Sequence, residues 1–348
     1  MLTRRLLLMS VMVGLPLILG TTGCLKRTER IQVSADGGVK VAVEFEGEKG
    51  DFDTLDALLS PAGGWRMQRE VKKENGKEIV TLRGERTFAP REELPSTFSL
   101  PNDSNAALTL SFPTTLVRER REDGIYLHFR RVYKPREWSY VDYWSRVIVD
   151  DNIKRLGEKK PEELTHDERM QLIRALAEVE AMKQIEFAQR ALREADPNLK
   201  QDHYLAARRA VLDVYEAKTD WEDLAKRLET MSGEERDQEV ERAALQVMDQ
   251  ARSAFARSLR TVAKYDEEKI AKFDAAFDRA KRYYDITSQQ AAHAFEIRVS
   301  MPGEVVAHNG EKFEDGEAVW EFDGNAFRDR SYELMVTSKL PLSREDRE

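Results

Sequence analysis

The feature that most constrains this chain is a change of hydrophobic period. It passes from two to about 3.6 near Pro135 and returns to two near residue 291. A period of two sends alternate side chains to opposite faces of a strand, whereas 3.6 lays an apolar stripe along a helix. Before the first change, Ile31-Gln32-Val33 and residues 39–43 flank Asp36-Gly37-Gly38. Residues 65–73 and 77–88 flank Asn75-Gly76, the strongest two-residue hairpin signal in the chain. A short amphipathic helix is expected from Asp51 or Asp53 to Leu59, stopped by Pro61-Ala62-Gly63-Gly64. Residues 90–101 read as a turn-rich excursion. Residues 108–112, 115–120 and 124–133 read as further strands, the last two joined at Glu122-Asp123-Gly124.

In the middle of the chain, Leu172, Ile173, Leu176 and Val179 share one helical face, and Tyr204, Leu205, Val211, Leu212 and Tyr215 share another. Val240, Ala244, Val247, Met248, Ala251, Phe255, Leu259 and Val262 make a long stripe, followed by Ile270, Phe273, Phe277, Ala280 and Tyr284. Pro197 and Gly233 read as stops and Asp266 as a cap. Four to six such helices must bury their stripes on one another, as a bundle or as coiled-coil-like hairpins. Strand signals return at 295–299, 304–308, 317–322 and 332–340, with 304–308 expected to pair with 317–322. The fold class is therefore expected to be α+β: an antiparallel β-rich module built from both ends of the chain and interrupted by a long α-helical block. Two separate β domains are the less economical alternative. The expected division is a signal peptide at 1–23, the first part of the β-rich domain at 24–135, the helical insertion at 136–290, the C-terminal part at 291–341 and a polar tail at 342–348.

Charge narrows the partners. The chain carries 56 Lys and Arg against 64 Asp and Glu, a net of −8. Loss of residues 1–23 removes Arg4 and Arg5 and no acid, which makes the balance more negative still. Nucleic-acid binding requires clustered cations over phosphates, so no nucleic-acid partner is expected. Charged residues make up 34% of the chain, which suits long helices with solvated faces.

The N-terminus has the order of an export signal. Arg4 and Arg5 precede residues 6–19, which are apolar apart from Ser10, and Thr21-Thr22-Gly23-Cys24 follows. The apolar run is short against the ~20 residues a spanning helix needs. These residues resemble the lipobox of bacterial lipoproteins; Thr22 and Gly23 fit it, and Thr21 departs from it where an aliphatic residue is usual. The resemblance implies cleavage before Cys24 and lipid on its thiol. It implies anchorage to a membrane, in the cell envelope, on the non-cytoplasmic side. An ordinary secretory signal is the alternative. Cys24 is the sole cysteine of the chain, so it has no disulfide partner within it.

A second resemblance lies at the other end. Val299-Ser-Met-Pro-Gly-Glu-Val-Val, His308-Asn-Gly, Asp315-Gly and Val319-Trp-Glu-Phe are similar to the end of the LppM-type bacterial lipoprotein domain. It covers about 45 C-terminal residues and, loosely, the first 30 mature ones, and leaves out the helical block. It implies a lipid-anchored α+β domain that binds lipid or apolar ligands, and it carries over no catalytic residue. The same residues have local reasons to exist, since Gly303 and Gly310 suit turns, Pro302 ends a ladder and Trp320 suits a core.

Motifs of catalysis are missing. His128, His166, His203, His293 and His308 stand at no metal-ligand spacing, and no nucleophile elbow or phosphate loop occurs. His166-Asp167-Glu168 after Thr165 reads as a helix start. Neither a cofactor nor a metal is expected. Two surface constellations remain. Arg118, Arg120, Arg121, Arg130 and Arg131 crowd one expected hairpin and could meet a membrane or an anionic partner, or be neutralised by Glu119, Glu122 and Asp123. Trp138, Tyr140, Tyr143 and Trp144, with Val141, Val147 and Ile148, surround more than one face of an expected helix. They could wall an apolar pocket or groove, or join the two parts of the chain. The expected function is that of a lipid-anchored envelope lipoprotein, non-catalytic, binding a lipid or apolar ligand or an envelope-protein partner. An envelope hydrolase with an unsignalled site and a purely structural tether are the alternatives.

Overall fold

The computed structural model describes residues 25–49, 52, 59, 61–74, 76–98, 110–136, 147–160, 163–216, 221–231 and 233–342. The fold is α+β, with strands at both ends of the chain and helices between them. It divides into two units, one containing Trp138–Tyr284 and the other drawn from Thr21–Glu137 and Asp285–Glu348.

The β unit holds eleven strands: β1 (Lys26–Val33), β2 (Val39–Glu48), β3 (Arg66–Glu74), β4 (Lys77–Phe88), β5 (Thr114–Arg121), β6 (Gly124–Tyr133), β7 (Ala294–Ser300), β8 (Glu304–His308), β9 (Lys312–Glu314), β10 (Glu317–Asp323) and β11 (Tyr332–Leu340). They form a seven-stranded sheet in the order β3-β4-β2-β1-β7-β10-β9 and a four-stranded sheet in the order β5-β6-β11-β8. Each sheet thus takes strands from both ends of the chain. The joint in the larger sheet is a parallel pair, β1 on β7, with Ile31 opposite Val299. That pairing makes one β unit rather than two. The three N-terminal hairpins form where turn chemistry places them. In the first, Gly37 takes a φ of 91°, open to glycine at little cost.

Two expectations about pairing are corrected. Residues 304–308 do not pair with 317–322: β8 lies on β11 in the smaller sheet, while β10 lies between β7 and β9 in the larger one. Gly303 turns the chain from one sheet to the other at a φ of 79°. A Cβ there would stand 2.3 Å from the Lys339 carbonyl oxygen, so β8 can follow β7 so abruptly only with glycine at this corner. Residues 110–112 are not a strand either. Their backbone bonds go to neighbouring loops and strand ends, with Phe112 N donating to Ser96 O and Lys134 N to Ser111 O.

Alternation decides the core. Ile31, Val33, Val41, Val43 and Phe45 of the larger sheet meet Leu127, Phe129, Leu334 and Val336 of the smaller in one buried cluster. Between them lie rings in edge or stacked contact, including Phe98 on Phe112 at 4.8 Å and Phe295 on Phe322 at 5.1 Å. Trp320 is buried, and its indole N–H donates to Asn309 Oδ1 (3.2 Å), which also accepts from Met335 N (2.8 Å). The Asn-Gly and Trp positions near the C-terminus therefore tie β10 to β11.

The other unit contains α1 (Asp151–Glu158), α2 (His166–Ala195), α3 (Gln201–Glu216), α4 (Trp221–Thr230), α5 (Gly233–Thr261) and α6 (Glu267–Gln290), whose last residues, from Asp285, belong to the β unit. Thr165 caps α2 in a full capping box with Glu168, a feature worth roughly 1 kcal/mol in helices generally. Asp266 caps α6 by accepting from Lys269 N. Gly233 begins a helix rather than stopping one, and α2 ends two residues before Pro197. Most of the stripe residues bury as periodicity requires: Val247, Ala251, Phe255 and Leu259 of α5 share a core with Ile270, Phe273 and Phe277 of α6 and with Ala188, Ala191 and Leu192 of α2, whereas Leu205 and Val262, expected on the same stripes, are exposed. The short helix expected between residues 51 and 59 falls largely outside the described residues, of which Phe52 and Leu59 are buried.

Candidate binding surfaces

The arginines of the β5–β6 hairpin divide by strand parity. On β6, Leu127, Phe129, Arg131 and Tyr133 point into the core, and Tyr126, His128 and Arg130 point outward. Arg131 is therefore corrected out of the basic surface. It is 1% exposed, and its Nη1 donates to Glu29 Oε2 (2.6 Å) across the space between the sheets. Its Nε donates to Thr114 Oγ1 (2.9 Å). The same parity on β1 buries Arg27 and Glu29, and Arg27 Nε donates to Glu29 Oε1 (2.6 Å). Burial pushes the Glu29 carboxyl up, but Arg131 and Arg27 outweigh it and hold the group below its ordinary range. One carboxylate faces two guanidiniums. The surplus cation is Arg27, which lies 4.5 Å from the Phe98 ring centre and 4.8 Å from that of Phe112. Desolvated guanidinium over ring faces is a favourable arrangement. Tyr133 is driven to a pKa of about 12 by burial and by Glu29. Periodicity could have revealed this cluster, because Arg27, Glu29 and Arg131 occupy the same alternating positions as the apolar residues of their strands.

The exposed members of the set are Arg118, Arg120, Arg121 and Arg130. Arg121 pairs with Glu119 (2.7 Å) and lies over the Tyr126 ring, and Arg130 pairs with Glu333. His128 bridges Glu119 (3.1 Å) and Thr337 (3.1 Å), and Lys339 pairs with Asp123 (2.6 Å). Acids from β5, from its turn and from β11 thus neutralise much of the hairpin's charge.

Sequence patterning gave no warning of a groove of about 850 Å³ on the outer face of the seven-stranded sheet. Thr28, Arg30, Glu44, Glu85, Glu296 and Arg298 are among its lining residues, with Arg66, Met67, Gln68 and Arg83 at the β3–β4 side. These belong to neighbouring positions across five strands, since Glu44 stands opposite both Thr28 and Arg83, and Thr28 opposite Glu296. Arg83 pairs with Glu44, Arg298 with Glu296 (2.9 Å), and Arg30 with Glu317 (3.2 Å). Ion pairs at a solvated surface contribute little stability and exchange partners readily. They can be replaced by charges of an incoming molecule.

Trp138, Tyr140, Tyr143 and Trp144 lie outside the described residues, as does Cys24. At the end of that aromatic stretch, Val147 is exposed and Ile148 packs on the helical core. Among the described residues, no group of three His, Cys, Asp or Glu could hold a metal ion, and no helix is long and apolar enough to cross a membrane. His166 Nδ1 lies 2.8 Å from Glu229 Oε1 at the surface, and His293 is buried. Comparison with protein-family models, with curated proteins and with solved structures gives no match.

Proposed function

We propose that this is a bacterial envelope lipoprotein of LppM-like type, anchored through Cys24, that works by binding a partner protein on the outer face of its seven-stranded sheet. The observation that carries the reading is the charged groove, whose rows of Arg and Glu suit a polar protein surface better than a lipid chain. The interior between the sheets supports the same choice, because rings in mutual contact occupy it and an apolar ligand would have to displace them. Leu25 bears on the anchor. It is buried, and its carbonyl accepts from Ala294 N (3.1 Å), so the chain is already packed into the β unit at residue 25. A lipid on Cys24 would then hold the β unit against the bilayer with almost no slack.

The test is a photo-crosslinking side chain at Thr28, in the groove, in the full-length protein within its own envelope. A discrete protein adduct, absent when the probe stands at exposed Glu321, is the expected result. Lipid adducts alone, or the same products at both positions, would overturn the reading. The anchor is tested by Cys24→Ser, which should abolish acyl labelling and alter processing. Unchanged processing and location would sink that part.

A further inference from the structure

Strand β3 ends the seven-stranded sheet, and among the described residues no strand pairs with its outer side. The peptide groups that face outward follow from the ladder. Ser34 N donates to Gly38 O (2.9 Å), which sets the phase of the β1–β2 pair and makes Gln32–Lys40 and Arg30–Ala42 the bonded pairs. The odd residues of β2 then bond to β4, and the even residues of β4, such as Gly84 opposite Val43, bond back. Odd residues of β4 are left for β3, where Arg83, Thr81 and Ile79 meet Gln68, Glu70 and Lys72. The two-residue turn between Glu74 and Lys77 requires the same phase. Met67, Arg69, Val71 and Lys73 therefore present their N–H and C=O groups away from the sheet.

The same four residues share one side-chain face, and it carries two cations and no acid. Val71 is 52% exposed, a β-branched residue uncovered at the centre of the strand. The whole strand has four cations, Arg66, Arg69, Lys72 and Lys73, against Glu70 and Glu74, in a chain whose net charge is −8. Among the described residues Arg66 and Arg69 make no ion pair, and Glu78, opposite Lys73, is already bonded to Lys49 (3.0 Å). Arg66, Met67 and Gln68 also line the groove, so the free edge borders it, while Arg69, Val71 and Lys73 carry their side chains on the opposite face, the one Met67 turns to the core.

We propose that β3 is a docking edge for an extended acidic segment of a partner protein, which adds as an eighth strand. The proposal rests on the binding reading above and names its partner. Main-chain bonds to Met67, Arg69, Val71 and Lys73 hold the segment, and cross-strand pairs select it. Acids stand opposite Arg69 and Lys73, with an apolar residue opposite Val71. The cations that attract this segment repel a second β3, which disfavours self-pairing along the edge.

A fluorescein-labelled peptide with glutamate and valine alternating on one face, titrated by anisotropy against the full-length protein in detergent, tests this. Saturable binding is expected, with loss of about tenfold in affinity on Val71→Pro and little change on Val71→Ala. Proline at this position removes only an outward N–H, so the fold should persist. If Val71→Pro nonetheless unfolds, the charge reversal Arg69→Glu/Lys73→Glu decides. It should reject the acidic peptide and accept the same peptide with lysine for glutamate. No saturation below about 1 mM would overturn the proposal, as would equal binding by folded Val71→Pro or failure of the charge swap. A dimer dissolved by Val71→Pro would also overturn it, by naming a second copy as the occupant. Thr28 adducts that survive Val71→Pro would sink the β3 edge alone and leave the binding reading standing.

Discussion

At the scale of single residues, the most consequential side chains are charged groups placed where apolar ones would fit. Removing one partner of a buried ion cluster strands the other in low dielectric, so Arg27, Glu29 and Arg131 act as a unit. His293 sits beside them, and burial together with the Arg27 charge lowers its pKa from 6.5 to about 4. The native state therefore keeps His293 neutral while the unfolded chain protonates it. The contribution is intact above pH 6.5 and is lost as pH falls towards about 4, on the order of 3 kcal/mol in all. Urea unfolding followed across that window should show the decline, and His293→Gln should flatten it. An equal decline in the variant would show that His293 stays charged in the folded protein. Parity made these buried charges legible in principle, since Arg131 falls between Phe129 and Tyr133 on the inward side. Composition alone conceals them, because the number of arginines on a hairpin carries no direction.

At the scale of elements, local signals and non-local ones part company. Turn residues and alternation marked the β1–β2, β3–β4 and β5–β6 hairpins, because both strands and the turn lie within a few residues of each other. Helical stripes such as Val247, Ala251 and Phe255 were legible for the same reason. Partner choice after Gly303 was not, because β8 must choose between β10 and the more distant β11, and the choice is made by a corner in the backbone. The groove was hidden for a related reason, as its residues converge from five strands at long separations. The corner gives a prediction. Gly303→Ala meets both a positive φ and the Lys339 carbonyl, whereas Gly37→Ala meets the positive φ in open space. The Gly37 change should cost about 1 to 2 kcal/mol and the Gly303 change distinctly more, read from thermal unfolding. Equal melting shifts would mean that the β7–β8 corner yields without cost.

At the scale of the whole molecule, the chain leaves the β unit and returns to it at nearly the same place. Arg136 donates through its backbone N–H to Arg328 O (2.9 Å) and through Nε to Thr287 Oγ1 (2.9 Å). A chain in which residues 25–136 run through a short Gly/Ser linker into residues 286–342 should therefore fold by itself. It should show a strand-type circular dichroism spectrum and one cooperative transition, and broad or absent unfolding would show that the β unit depends on the helices. The parallel pair of β1 and β7 has a consequence in time. Lys26 lies opposite Ala294, roughly 270 positions later, so the first strand waits for the seventh, beyond all the helices, before its sheet can close. A ribosome or a translocation pore delivers the chain from its N-terminus, and until β7 emerges β1 lacks one neighbour. The helical block can pack as soon as it emerges; the larger sheet closes only after the whole of that block has been delivered.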